Sequence, residues 1–187
     1  MNIAVYLGAN YGNSHIFEEK IRELGKWIGR NNHTLVYGGS KSGLMGIVAE
    51  SVLTSGGKAI GVEPEFFIKR AVQYEGLTEL IITKNMSERK NKMIELSNAF
   101  IAFPGGTGTL EEVSEVMSRL ALNDLDCPCI IYNLNGFYDG LKKLVNTMIK
   151  YDLTNTERLK NVYFLSDINE IEKVINEYNI KFVKTKK

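Results

Sequence analysis

Two kinds of hydrophobic spacing alternate along the chain. Short apolar or β-branched runs, Ile3 to Leu7, Thr34 to Tyr37, Ala59 to Val62, Leu80 to Thr83, Ala99 to Phe103 and Cys129 to Tyr132, have the length of buried strands. Between them lie longer segments with apolar residues at helical spacing. Phe17, Ile21, Leu24 and Ile28 mark the first as one buried stripe, and further helices are predicted over Leu44 to Ser55, Ser87 to Leu96, Thr109 to Leu122, Tyr138 to Lys150 and Asp167 to Tyr178. Gly56 and Gly57 end the second helix, and "KFVKTKK", residues 181–187, reads as a frayed basic tail. Strand and helix in strict alternation predict an α/β fold: a doubly wound, mostly parallel sheet between two helical layers, a Rossmann-like three-layer sandwich in one domain spanning 1–187.

Composition narrows what such a domain handles. Lysine and arginine number 23 against 22 aspartates and glutamates, so no strong field draws in nucleic acid or an anionic membrane, and a charged ligand must be held locally. The N-terminus has no basic region followed by an apolar segment and cleavage site, and no apolar run approaches the roughly 18 residues of a membrane span. A cytoplasmic protein is expected. Cys127 and Cys129, two apart in what reads as one strand, lack the further cysteines a zinc cluster needs and are expected to be free thiols.

Glycine loops follow three of the strands, at the sheet edge where doubly wound folds bind ligands: "GANYGN", "GGSKSG" and "PGGTG". None carries G-x-G-x-x-G, since Glu111 stands where the third glycine belongs after Gly106 and Gly108, which disfavours a dinucleotide. Gly38 and Gly43 have P-loop spacing, yet Leu44 and Met45 replace the lysine and hydroxyl that such a loop requires. What survives is a mononucleotide-sized site that holds a phosphate on backbone amides without a metal. In "PGGTGTLEE", Pro104 to Glu112, Thr109 reads as an N-cap with Glu112 three residues on, a capping box. A cap does not explain Gly105, Gly106 and Gly108, whereas close approach of a phosphate to a run of amides does. Leu110, Val113, Met117 and Leu120 mark the buried stripe of that helix, with Glu111 pointing away and Glu112 at the stripe's edge, able to face a ligand. In "MSERKNKM", Ser87 reads as an N-cap, placing Arg89 and Lys90 in the first turn, where cations oppose the helix dipole unless an anion offsets them. An arginine there suits phosphate or ribose oxygens and cannot serve as a proton donor.

"YGGSKSGLMG", "MSERK" and above all "PGGTGTLEE" resemble the Lonely Guy family of cytokinin riboside 5′-monophosphate phosphoribohydrolases, long misnamed lysine decarboxylase-like proteins. "GLTEL" and "NLNGFYDGL" extend the likeness over nearly the whole chain. The resemblance implies that Arg89 and Glu112 are the catalytic pair, and that Arg89, Lys90, Gly105, Gly106, Thr107, Gly108, Thr109 and Glu112 bind substrate. It further implies hydrolysis of the N-glycosidic bond of an N6-substituted adenosine 5′-monophosphate, or of AMP, to the free base and ribose 5-phosphate, with no metal and no cofactor, by a homodimer. A lysine decarboxylase would need pyridoxal phosphate on a lysine, for which nothing argues. The chain carries Ser87, Ser40, Ala9, Asn10, Ala71 and Tyr74 where bacterial members of the family often have other residues, so the reaction type is better specified than the base. Two other readings stay open: a nucleotide- or cofactor-binding module without turnover, and a nucleosidase of broad specificity for 5′-monophosphates.

Overall fold

In a computed structural model, which describes residues 1–68 and 72–185, seven strands form one sheet in the order β4-β3-β2-β1-β5-β6-β7. They are β1 (Asn2–Tyr6), β2 (Thr34–Tyr37), β3 (Lys58–Pro64), β4 (Glu79–Thr83), β5 (Ala99–Ala102), β6 (Cys129–Tyr132) and β7 (Val162–Leu165). Every neighbouring pair is parallel, with Ile3 opposite Leu35 on one side of β1 and opposite Ala99 on the other. The helices are α1 (His15–Arg30), α2 (Gly43–Thr54), the single turn α3 (Glu65–Ile68), α4 (Met86–Leu96), α5 (Thr107–Ala121), α6 (Asp139–Lys150) and α7 (Ile168–Thr185).

Alternation along the central strands divides the core in two. Ile3, Val5 and Leu7 face α1, α2 and α7, while Ala4 and Tyr6 face α4 and α5. Both faces are apolar because both are covered, as a parallel sheet requires. α1 and α2 pack with little room between them: a Cβ on Gly25 would lie 2.6 Å from that of Ser51.

Three local expectations are corrected. Val162 to Leu165 is a seventh strand, as short as β2, β5 and β6 but at the sheet's edge and only half-buried. Helical backbone continues to Thr185, through most of the segment read as a frayed tail, because no glycine or proline interrupts it. Cys127 lies before β6, not within it; both cysteines are nonetheless buried and free. Burial pushes the Cys127 thiol up to about 12 and raises Cys129 as well, which keeps both protonated and unreactive. Among the described residues, no helix is long and apolar enough to cross a membrane. Ala71 lies outside the described residues.

Strand order sets the ligand position. From β1 the chain builds outward through β2, β3 and β4; it then returns to β5, beside β1, and builds the other way. The loops after β1 and β5 therefore diverge to opposite faces and leave a crevice between them. There the backbones touch closely: a Cβ on Gly105 would sit 2.9 Å from the amide nitrogen of Gly8 and collide with Oγ1 of Thr109.

Candidate active site

A cleft of about 670 Å³ opens at the carboxyl ends of the strands, and all three glycine loops contribute to it through Gly8, Gly38 and Gly105 to Gly108. Its floor is fixed by hydrogen bonds from two sides. The amide of Phe103 donates to Tyr6 O at 2.9 Å, and the Tyr138 hydroxyl donates to Phe103 O at 2.8 Å, so the chain enters the Pro104 turn from an immobilised strand end.

α5 begins at Thr107, with Gly106 as its N-cap. This corrects the assignment of Thr109 as the cap: Thr109 is the third helical residue and is buried under Gly105. The first intrahelical bond runs from Leu110 N to Gly106 O at 3.1 Å, which leaves the amides of Thr107, Gly108 and Thr109 as the orphan donors of the first turn. Orphan amides and the positive end of the helix dipole together form an anion site. The glycines divide by purpose. Gly105 is needed for packing, whereas a Cβ on Gly106 or Gly108 would meet nothing within 4 Å and would project into open space.

α4 is capped by Asn85, whose side chain accepts from Glu88 N at 2.9 Å, and not by Ser87. Asparagine and serine cap about equally well, and the upstream residue holds the extended conformation a cap needs. Arg89 N then donates to Asn85 O at 3.1 Å, past the orphan amides, and the Arg89 side chain turns inward. It is 6% exposed; its Nε donates to Val62 O at 3.0 Å and its Nη1 to Glu112 Oε1 at 2.9 Å. Glu112 is itself 8% exposed and forms no capping box. The buried stripe of α5 is Thr109, Glu112, Val113, Val116 and Leu120, while Leu110 is exposed. The hydrophobic pattern, built on Leu110 and Met117, left Glu112 at the stripe's edge, whereas a guanidinium partner makes its full burial tolerable. Burial lifts the Glu112 carboxyl above the ordinary value for a glutamate, and Arg89 pulls it back down.

Lys90 does not join this pair. Its Nζ is held by Glu111, which lines the cleft, at 2.7 Å and by Glu115 at 3.2 Å, so Lys90, itself not part of the lining, braces α4 against α5. Ser87 is exposed, and Met86 lines the cleft in its place. Ala9 and Asn10 line the cleft with Ser40, which also bridges to Gln73, and Tyr74 packs against the core. Sequence reasoning missed Glu63 altogether. It is the penultimate residue of β3, is 1% exposed and lines the cleft; an acid breaking the apolar run "AIGV" before Pro64 was the available signal. Among the described residues lining the cleft there is no lysine, the side chain that a pyridoxal Schiff base requires.

Fold and site together define a doubly wound α/β domain in which an anion-binding helix terminus adjoins a buried carboxylate–guanidinium pair. Residues 45–175 match the family model described as "Possible lysine decarboxylase". A cytokinin riboside 5′-monophosphate phosphoribohydrolase of Rhodococcoides fascians is 42% identical over 142 residues, covering 75% of this chain and 71% of the relative. One from Arabidopsis thaliana is 32% identical over 177 residues, covering 95% and 82%. The Moco carrier protein of Chlamydomonas reinhardtii has the same fold, with a TM-score of 0.72 at 20% identity over 96% of this chain and 98% of that one. The chain belongs to the family of the cytokinin riboside 5′-monophosphate phosphoribohydrolases, enzymes that cleave an N-glycosidic bond, and the decarboxylase description is a misnomer.

Proposed function

We propose that the protein hydrolyses the N-glycosidic bond of a nucleoside 5′-monophosphate, an N6-substituted AMP or AMP itself, to the free base and ribose 5-phosphate. The observation that carries this reading is the Arg89–Glu112 pair, buried at 2.9 Å within one cleft with the free amides that open α5. The 5′-phosphate sits on the amides of Thr107 to Thr109, with Gly106 and Gly108 leaving it room. As the bond from C1′ to the base nitrogen breaks, its electron pair leaves with the base and positive charge builds on the ribose. A water oxygen bonds to C1′. Glu112, ionised, stabilises that charge and takes the water's proton, which passes on to the departing base. Arg89 holds the Glu112 carboxylate in place and orients the nucleotide. No metal takes part.

Incubation with AMP, N6-isopentenyl-AMP, other 5′-monophosphates and the matching nucleosides, followed by chromatography for free base, tests the proposal. Base should be released from the monophosphates and not from the nucleosides, with a chelator leaving the rate unchanged. Each charge-assisted hydrogen bond to the phosphate contributes about 1.5 to 3 kcal/mol, so two or more produce discrimination of about a thousandfold. A carrier or binding module would bind the nucleotide and release nothing. A nucleosidase of broad specificity would release every base at comparable rates.

A homodimer is part of the same reading. α6 exposes Leu144 and Met148, and Tyr151 and Leu153 follow it with relative exposures of 68% and 76%. Light scattering should give twice the 21.0 kDa chain mass. Replacing Leu144 and Leu153 together by glutamate should return the monomer mass.

A further inference from the structure

Glu63 is the most incompletely satisfied acid of the cleft. Gln73 hydrogen-bonds its carboxyl, yet Oε2 is buried with no partner among the described residues. The loop after β2 lies directly on it: Gly39 has φ +82°, and a Cβ there would come within 2.7 Å of the Glu63 Cγ. Burial raises the Glu63 carboxyl above its ordinary value, moderated by the Gln73 bond and by Arg89. An unmet buried carboxyl oxygen is costly, and one that lines a cleft is accounted for when a ligand completes it.

Its place in the sheet says which part of a ligand that is. β3 stands three strands from β5, about 14 Å at the usual interstrand spacing, comparable to the length of an extended nucleotide. The anion site lies at the β5 end, on α5. Arg89 and Glu112 come next, and Arg89 is bonded to Val62, the residue before Glu63. A nucleotide with its phosphate on α5 and its glycosidic bond at Arg89 and Glu112 therefore extends its base toward Glu63. Met45, Phe67 and Val72 give the same cleft an apolar wall.

We propose that Glu63 reads the base: its free carboxyl oxygen accepts a hydrogen bond from an N–H on the heterocycle, so the site selects bases that present a 6-amino N–H over bases that lack it. This rests on the nucleotide reading above. A mono-N6-substituted adenine retains one such N–H, and the Met45, Phe67 and Val72 wall accommodates an apolar substituent.

The test compares AMP with two analogues that cannot donate there, purine riboside 5′-monophosphate and N6,N6-dimethyl-AMP, in the wild type, Glu63→Gln and Glu63→Leu. One hydrogen bond to a buried acceptor predicts a wild-type kcat/KM preference for AMP of about tenfold or more. Glu63→Leu should lose that preference and handle both analogues about as the wild type does, while Glu63→Gln, whose amide oxygen still accepts, keeps part of it. Comparing the ratio between variants cancels the intrinsic leaving-group difference among the bases. An unchanged ratio in Glu63→Leu overturns the proposal even if base is released. If the wild type releases no base from any of the three, the hydrolase reading fails instead. Calorimetric binding of the same nucleotides then decides the Glu63 role: equal selectivity in wild type and Glu63→Leu overturns it. Thermal melts accompany each variant, and a merely structural role would move the melting temperature without moving the ratio.

Discussion

Glu112 is held by a single buried partner, and that makes the consequences of altering it separable. Glu112→Gln keeps an oxygen that accepts from Arg89 but removes the charge that stabilises a cationic ribose. Turnover should fall by about a hundredfold or more, with a melting temperature within a few degrees of the wild type. Glu112→Ala leaves the buried guanidinium unpaired, which costs about 3–5 kcal/mol. Melts and single-turnover rates on both variants decide the matter: a glutamine variant that melts early but turns over normally would reassign Glu112 to structure. The ionised form is the active one, and burial lifts this carboxyl, so the acid limb of kcat/KM should lie above that of an ordinary glutamate. Arg89→Ala removes the cation that pulls the carboxyl back down, so the limb should move higher still, with KM raised and kcat reduced. Placing Arg89 in an exposed first turn predicted relief of a dipole conflict on removing it. With its Nε bonded to Val62 O, the expected change in melting temperature reverses sign and becomes a loss.

At the scale of elements, the start of α5 separates folding from binding by a single position. Gly106 has φ −89°, open to any residue, and free space where a Cβ would go, so Gly106→Ala should leave the melt unchanged while weakening nucleotide binding. Gly105→Ala should do the reverse first, because its Cβ meets Thr109 and Gly8. Calorimetry with AMP beside thermal melts reads both, and equal affinity in wild type and Gly106→Ala would remove the phosphate from this loop. The strand–glycine–helix order was legible in the sequence because glycines do not follow an apolar run by chance of propensity. The exact caps were not: Asn85 and Ser87 differ little in capping strength, and the extra turn from Thr107 depends on Gly106 adopting a cap geometry that its type does not announce. Glu112 was placed at the edge of a stripe and lies within it, since the pattern of one helix carries no information about an arginine on another. Glu63 escaped notice for the same reason, its neighbours Gly39 and Gln73 being distant in sequence.

Across the whole molecule, strand order gathers the loop after β1, α4 and α5 at one edge of the sheet, and the alternation of elements predicted that edge without the order itself. The opposite edge carries an independent proton switch. His33 stands at the amino end of β2, 6% exposed, with its Nε2 unpartnered among the described residues and its ring edge-on to Trp27 at 5.4 Å between centroids. Burial, and secondarily the charge of the Met1 amine 3.5 Å away, lowers its pKa to about 4. The unfolded chain binds a proton near pH 6.5 that the folded protein refuses until about pH 4. The stability this contributes is complete above about pH 6.5 and is lost as the pH falls through the interval, by up to about 3 kcal/mol. For a chain of this size that corresponds to a fall of roughly 6–12 °C in melting temperature. His33→Phe cannot take up the proton and keeps an aromatic ring against Trp27, so its melting temperature should fall less between pH 6.5 and 4 by about that amount. Because His33 and Glu112 lie at opposite edges of the sheet, the variant should leave the acid limb of kcat/KM where it was. Melting curves and rate profiles recorded over the same pH range check both halves. A wild-type acid slope in His33→Phe would move the switch elsewhere, and a displaced kinetic limb would mean that the two edges are coupled.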